Sequence, residues 1–497
     1  MEGLRIQPDR HEFEALAREW PLVPVWTELS SDVSTPVGVF PSLAQEGPGV
    51  LLESVERSER WGRYSFVAGD PAAIVSVDAG GTRIEDVVRD LGYPSALPDG
   101  AAASLRSIDD ALRAPHLPGL PPLTGGLVGM LTYEAAMLLD GHPYPTGEEL
   151  STPPIHLLVI DRAVVFDHWR QRLLLVCHAR DYDDAVASLQ HLAEHVQTAV
   201  APEPEPLGGG GASAEVEPPE DAETFQESVL RAKEHIFAGD IFQVVLSRRR
   251  SVPAPQGGLA IYRRLRVANP SPYMFFLRLP TLELAGSSPE PLVRVEGRRV
   301  ITRPIAGTYP RGADPEEDAR LEAQLLADPK ERAEHAMLVD LARNDIGRVC
   351  TAGSVRPPEL MLVERFSRVM HIVTTVEGEL REGLSPVDAL SATFPAGTVT
   401  GAPKRRAMEI IRDEERVARG PYAGAVGYLT FAGDLDFCIT IRTAVIAGGT
   451  AQVQSGAGIV ADSDPERELG ETEAKASALL AALGGSPTEA RRVGATQ

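Results

Sequence analysis

In the first two hundred residues apolar positions gather in short runs, among them Gly49-Val50-Leu51-Leu52 and the stretch 157–166 (LLVIDRAVVF), which predict β-strands. Over 182–200 the apolar residues recur at helical spacing instead. A helix over 222–238 then leads through Gly239-Asp240 into a strand at 241–247. Beyond it, strand-like runs at Val293-Arg294-Val295, 372–376, 428–431 and 438–445 alternate with long helical patterns around 315–346, 403–417 and 465–483. There is no internal repeat and no G-x-G-x-x-G after a strand, so the mixture predicts an α+β fold and argues against a doubly wound dinucleotide fold.

The sharpest break in pattern is 201–223 (APEPEPLGGGGASAEVEPPEDAE), which holds too little apolar surface to offset ordering entropy and reads as a linker or mobile loop. It divides an N-terminal region, 1–200, from a region 224–485, after which 486–497 reads as a flexible tail. The chain has 497 residues, 43% of them hydrophobic, enough for a sizeable core. Its formal charge of −23 opposes binding to nucleic acid or an anionic membrane, and no apolar run approaches the length of a membrane span. The first twenty residues lack a basic segment followed by an apolar one, so no leader is expected in them. Three cysteines, Cys177, Cys350 and Cys438, lie far apart and without metal-ligand spacing, which suits a reducing cytoplasm.

Two helices are expected to begin at Asp328-Pro329 and Asp464-Pro465, where aspartate caps the free N–H groups and proline opens the first turn. Each then carries two glutamates three residues apart, Glu331/Glu334 and Glu468/Glu471, on one helix face. Four such carboxylates suit a hard cation such as Mg²⁺; the same residues also suit helix N-termini, with Glu331 closing a capping box on Asp328. The segment Gly397-Thr398-Val399-Thr400-Gly401-Ala402-Pro403-Lys404 misses the spacing of a nucleotide phosphate loop and leaves a glycine turn into a helix, an ordinary turn or a carboxylate-binding one. In Ser455-Gly456-Ala457-Gly458 the glycines would let backbone approach a ligand. Arg442, read within a strand 439–443, either faces an anion or sits on an edge, and His371, in the apolar run Val369-Met370-His371-Ile372-Val373, is either a core residue or an acid/base group. No nucleophile elbow or activated cysteine motif is present.

Taken together, the motifs Gly286-Ser287-Ser288-Pro289-Glu290, Arg303-Pro304-Ile305-Ala306-Gly307-Thr308, Asp340-Leu341-Ala342-Arg343-Asn344-Asp345-Ile346-Gly347-Arg348, Phe394-Pro395-Ala396-Gly397-Thr398, Tyr422-Ala423-Gly424-Ala425-Val426-Gly427-Tyr428 and Gly456 to Glu466 resemble the chorismate-utilising enzymes. The resemblance is closest to their anthranilate synthase component I branch. In the N-terminal half it is carried by Leu51-Leu52-Glu53-Ser54 and Trp61-Gly62-Arg63-Tyr64-Ser65-Phe66.

The resemblance implies a large α/β sandwich of mainly antiparallel sheets with helices on the outer faces. It implies Mg²⁺ held among Glu331, Glu334, Glu468 and Glu471 and bound to the ring carboxylate of chorismate. Tyr422, Arg442 and the backbone at Gly458, in the stretch that includes Gly456, match positions holding the enolpyruvyl carboxylate; Thr398 lies in the substrate-facing turn, and Lys475 offsets the carboxylate charge. Glu290 matches the acid that assists loss of the ring hydroxyl, and His371 the histidine of the pyruvate-eliminating step. Gln243 stands where water-adding relatives carry a lysine base, and Ala306 where aminodeoxychorismate-forming relatives carry a lysine nucleophile. Both point to attack by ammonia and to anthranilate as product, the alternative being a sibling that stops at an amino-chorismate. The chain has no Gly-x-Cys-x-Gly glutaminase elbow, so ammonia is expected from a separate glutamine amidotransferase small subunit, in a heterotetramer of two large and two small subunits. Glu53, Ser54, Pro272, Tyr273 and Met274 resemble a tryptophan feedback site, to which the N-terminal region contributes. A non-catalytic tryptophan-binding subunit would have no need of the four glutamates, Glu290 and His371 together.

Overall fold

Pairing of the apolar runs generates two antiparallel sheets in a computed structural model that describes residues 4–54, 62–140, 152–200, 202–203, 222–365, 369–415 and 417–484. Trp61, nearly all of the 201–223 break and the 486–497 tail lie outside these residues. From edge to edge the first sheet runs Val23–Ser30, Arg172–Ala179, Arg162–Asp167, Tyr64–Gly69, Gly49–Glu53, Tyr273–Arg278, Glu283–Ser288, Thr443–Ala447, Thr450–Ile459, Gln243–Pro253 and Gly401–Ala402. The second runs Ile305–Pro310, Val369–Glu379, Arg299–Thr302, Pro291–Glu296, Leu435–Ile439, Ala425–Thr430, Gly126–Leu131, Ile155–Ile160, Ala73–Asp78 and Gly81–Glu85, with Arg356–Arg365 also paired to Val369–Glu379.

Three apolar layers hold the sheets. Phe275, Leu284, Val165 and Leu174 of the first sheet pack with Met130, Leu158, Val426 and Cys438 of the second, and all are buried. The other face of the first sheet is covered by the helices Pro36–Ala44, Tyr182–Thr198, Gly257–Ala268 and Pro465–Ala482. The other face of the second is covered by Ala101–Ala111 and Pro386–Thr393. This is the expected α+β sandwich with outer helices. Each buried Leu, Val, Ile or Phe side chain contributes about 1.5–3 kcal/mol of transfer free energy, and burial on both faces explains why so many strands read as continuous apolar runs rather than alternating ones.

The sequence break at 201–223 does not divide the sheets. Gly49–Glu53 pairs with Tyr273–Arg278, and Gly126–Leu131 pairs with Ala425–Thr430, so the regions 1–200 and 224–485 are built into both sheets. Three of the expected elements are split. The run 157–166 breaks at Asp161, where the chain leaves the second sheet for the first and the buried carboxylate takes two hydrogen bonds from Arg89. The run 438–445 breaks at 440–442, again between sheets. The helical pattern 315–346 is two helices, Pro315–Ala327 and Pro329–Gly347, because Pro329 has no N–H to continue the ladder and Asp328 both ends the first helix and caps the second.

Candidate active site

The chain crosses between sheets at two points that meet. One is the step from Glu283–Ser288 to Pro291–Glu296, which carries Glu290; the other is the step from Leu435–Ile439 to Thr443–Ala447, which carries Arg442. Backbone and hydroxyl bonds tie them together. The Ile439 N–H donates to the Glu290 carbonyl at 3.0 Å, the Ser287 N–H to the Arg442 carbonyl at 3.2 Å, and the Ser288 hydroxyl to the Ile439 carbonyl at 2.6 Å. Arg442 is therefore neither within a strand nor an edge-strand charge: it sits on the connection, with φ +51°. A non-glycine residue held there is a local backbone strain of the kind that clusters at functional sites.

Burial pushes the Glu290 carboxyl up to about 7, against the opposing influence of Thr398, Arg442 and Lys475. Thr398 Oγ1 is buried and makes no hydrogen bond among the described residues, although it lies close enough to Glu290 to favour its charged form. It stands in the single 3₁₀ turn Gly397–Val399, packed so tightly on the helix Pro329–Gly347 that a Cβ on Gly397 would lie 2.0 Å from the Leu341 side chain. A cavity of about 40 Å³ lies against Glu290, Gly397 and Thr398, walled by Thr302, Leu341 and Asp345. The Arg442 guanidinium makes no ion pair or hydrogen bond among the described residues; burial lowers its pKa while Glu290 raises it.

The glutamate helices start as expected. The Asp328 carboxylate accepts from the N–H groups of Lys330 and Glu331, and the Asp464 carboxylate from that of Arg467. The capping box expected of Glu331 does not form; its side chain turns instead toward Gly307, whose Cβ position lies 3.1 Å from Glu331 Oε2. Burial raises the pKa values of Glu331 and Glu334, and neighbouring carboxylates raise them further, Glu471 of the other helix among them. Glu468 is buried, with Arg467 3.3 Å away, and Lys475 bonds Glu471 at 2.7 Å and the Gly456 carbonyl at 3.0 Å. Among the described residues no three acidic, histidine or cysteine side chains are drawn together closely enough to hold a metal ion. Oxygen donors on two helices, with Glu471 of one raising the proton affinity of Glu331 and Glu334 on the other, nonetheless fit a hard dication, which would relieve that repulsion.

Opposite the helices, the strands Thr450–Ile459 and Gln243–Pro253 pair Gly456 with Ser247 and Gly458 with Val245. Both glycines leave room for a neighbouring side chain, and Gly456 also for backbone, where a Cβ would lie 2.8 Å from the Leu246 carbonyl. A Cβ on Gly456 would lie 2.7 Å from the Tyr422 hydroxyl, and one on Gly458 2.6 Å from the Gln243 amide nitrogen. Gln243 and Tyr422 are buried, and burial raises the Tyr422 pKa. His371 Nδ1 lies 2.9 Å from the carbonyl oxygen of Gly307, the bulged residue between Ala306 and Thr308. A carbonyl only accepts, so Nδ1 carries the proton, and burial lowers the ring's pKa. His371 thus stands as a neutral imidazole within range of Arg442.

The remaining predicted residues lie on or beside the first-sheet strands Gly49–Glu53 and Tyr273–Arg278. Glu53 and Met274 are direct cross-strand partners, as are Tyr273 and Ser288. Glu53 is buried and both its oxygens are engaged, by the Tyr262 hydroxyl at 2.6 Å and Arg266 at 2.8 Å. The Ser54 hydroxyl is buried without a partner among the described residues, Pro272 is half-buried, Met274 is buried, and the Tyr273 hydroxyl reaches Asp436 of the second sheet at 2.9 Å.

Residues 62–481 match the family model described as chorismate binding enzyme. The chain belongs to the chorismate binding enzyme family. Within it, the chain is 42% identical to anthranilate synthase component 1 of Acetivibrio thermocellus, covering 96% of this chain and 98% of that protein. It is 46% identical to that of Streptomyces coelicolor, covering 96% and 92%. The crystal structure of anthranilate synthase component I from Streptococcus pneumoniae superposes with a TM-score of 0.75 at 34% identity, covering 91% of this chain and 98% of that one.

Several residues around this candidate site carried no signal as motifs. Arg419 and Glu415, four apart, form a buried ion pair beside Tyr422, and Glu134 accepts the N–H groups of Arg419 and Gly420. The i,i+4 spacing of Glu415 and Arg419 was readable, but the same spacing is common on exposed helices; only their burial distinguishes them.

Proposed function

We propose that this chain is the large subunit of an anthranilate synthase, converting chorismate and ammonia to anthranilate, pyruvate and water. The observation that carries the reading is Glu290: a half-buried residue whose carboxyl pKa is lifted to about 7, set between Thr398 and Arg442 at the junction of the two sheets. Ammonia brings its own lone pair to ring C2, but hydroxide is a poor leaving group from C4, and an acid still protonated near neutral pH supplies the missing proton. Arg442, Tyr422 and the backbone around Gly456 and Gly458 receive the enolpyruvyl carboxylate. The neutral His371, with Nδ1 directed at the Gly307 carbonyl, is the group that takes the C2 proton as pyruvate departs. Gln243 is a neutral amide and does not deprotonate water, which favours amination over hydration.

Mg²⁺ is the cofactor of this reading, held by Glu331, Glu334, Glu468 and Glu471; when bound it supplies positive charge that fixes and polarises the ring carboxylate. Lys475 balances the carboxylates from one helical turn beyond Glu471. Ammonia comes from a separate glutamine amidotransferase small subunit, with two copies of each subunit. L-tryptophan acts as feedback inhibitor at Glu53, Ser54, Pro272, Tyr273 and Met274, with Tyr262 and Arg266 fixing the Glu53 carboxylate. The three cysteines are free and buried, in keeping with a cytoplasmic enzyme.

Product analysis with ¹⁵N-ammonium tests the reading. Equal amounts of ¹⁵N-anthranilate and pyruvate are expected; accumulation of an amino-chorismate without pyruvate would reassign the chain to a sibling activity.

A further inference from the structure

Resting on that reading, we infer that Arg419 and Glu415 form a buried positioning device that sets the substrate-facing surfaces in register without touching substrate. The Arg419 side chain is 1% exposed and that of Glu415 6%. Arg419 grips Glu415 with a bidentate fork, Nε to Oε2 at 2.9 Å and Nη2 to Oε1 at 2.6 Å. Its other bonds go to two carbonyls, Nη1 to Val399 at 2.8 Å and Nη2 to Val245 at 2.7 Å. Val399 follows Thr398 in the 3₁₀ turn, and Val245 is the cross-strand partner of Gly458. Glu415 Oε1 also accepts the N–H and hydroxyl of Ser247, each at 2.8 Å, and Ser247 is the partner of Gly456. The guanidinium carbon lies 5.5 Å from the centre of the Tyr422 ring and 4.7 Å from that of Tyr133. From behind, Glu134 receives the N–H groups of Arg419 and Gly420 just before Tyr422. One ion pair therefore meets the Thr398 turn, the strand opposite Gly456 and Gly458, and the Tyr422 ring.

Energetics favour a geometric role. Burying two charges costs desolvation that their attraction only roughly offsets, so such a pair is weak evidence for stability and is better explained by the arrangement it specifies. A lysine at 419 would keep the charge but lose the fork, since one ammonium does not reach Glu415, Val399 and Val245 in a plane. A misplacement of about 1 Å at a reacting centre costs on the order of 10²-fold in rate.

The test compares wild type, Arg419→Lys, the double variant Arg419→Met/Glu415→Leu, which removes the pair without orphaning a charge, and Arg89→Lys, which weakens the remote Arg89–Asp161 pair. Thermal midpoint, chorismate binding without ammonia, and kcat and KM for ammonia-dependent turnover are measured for each. The inference predicts folded Arg419→Lys and double variants that bind chorismate at least tenfold more weakly and lose about 10²-fold in kcat/KM, while Arg89→Lys shifts only the midpoint. Folded Arg419 variants with wild-type binding and kcat/KM, or losses that follow the unfolded fraction alone, would overturn it. Wild-type protein that binds chorismate but forms no anthranilate would refute the functional reading while leaving the binding comparison to decide this one.

Discussion

Glu290 and Arg442 occupy two of the connections at which the chain steps between its sheets, and those two are hydrogen-bonded to each other through Ile439 and Ser287. The proposed acid and its neighbouring cation are thus set by backbone pairing from both sheets, a preorganised arrangement in which little motion would be needed as charge develops.

Replacing Glu290 with glutamine removes the proton donor and keeps its volume. Ammonia-dependent turnover is expected to fall by about 10²–10⁴-fold, with chorismate binding changed far less. Steady-state kinetics and direct binding check this; a variant within tenfold of wild type would remove Glu290 from the acid role.

The raised pKa of Glu290 has a defined sign. Folded, it titrates at about 7 against an ordinary 4.5, so the stability gained from its proton is complete below about pH 4.5 and lost as pH rises through 7. Glu290→Gln removes this dependence, and its thermal midpoint is expected to gain on wild type between pH 5 and pH 8. Activity divided by free NH₃ concentration should decline above about pH 7 as the acid ionises.

Magnesium binding has a readout that needs no turnover. If the glutamates on the two helices hold the ion, Mg²⁺ at a hundred times its Kd stabilises the folded chain by about 2.7 kcal/mol. Glu334→Gln and Glu471→Gln should each abolish most of the rise in thermal midpoint, and an undiminished rise would place the ion elsewhere.

The Ser54 hydroxyl, buried beside Glu53 and without a partner among the described residues, is expected to find one in bound tryptophan. Ser54→Ala should weaken tryptophan binding at least tenfold, measured calorimetrically, while anthranilate formation without tryptophan continues. Linkage requires that tryptophan and chorismate weaken each other by the same factor.

Much of this was legible because local chemistry carries it. Asp328-Pro329 and Asp464-Pro465 mark helix starts by capping rules, and spacing alone puts each glutamate pair on one face. What was not legible depends on partners distant in sequence. Arg442 reads as a strand residue because the β-branched residues of 438–445 surround it; only the pairing of its flanks with different sheets reveals a crossing. The run 157–166 hides the same device at Asp161, and pairing of Gly49–Glu53 with Tyr273–Arg278 across the 201–223 break has no local signature. Arg419 and Glu415 look like a surface pair until the strand Gln243–Pro253 and the Thr398 turn close over them.

The most direct test of the account is a fluorescence time course of the purified chain alone with chorismate, Mg²⁺ and ammonium at a pH that supplies free NH₃. Anthranilate should appear, stop on chelation of the metal and resume when Mg²⁺ is restored in excess. Chorismate left unconsumed under these conditions would contradict the assignment of the site itself.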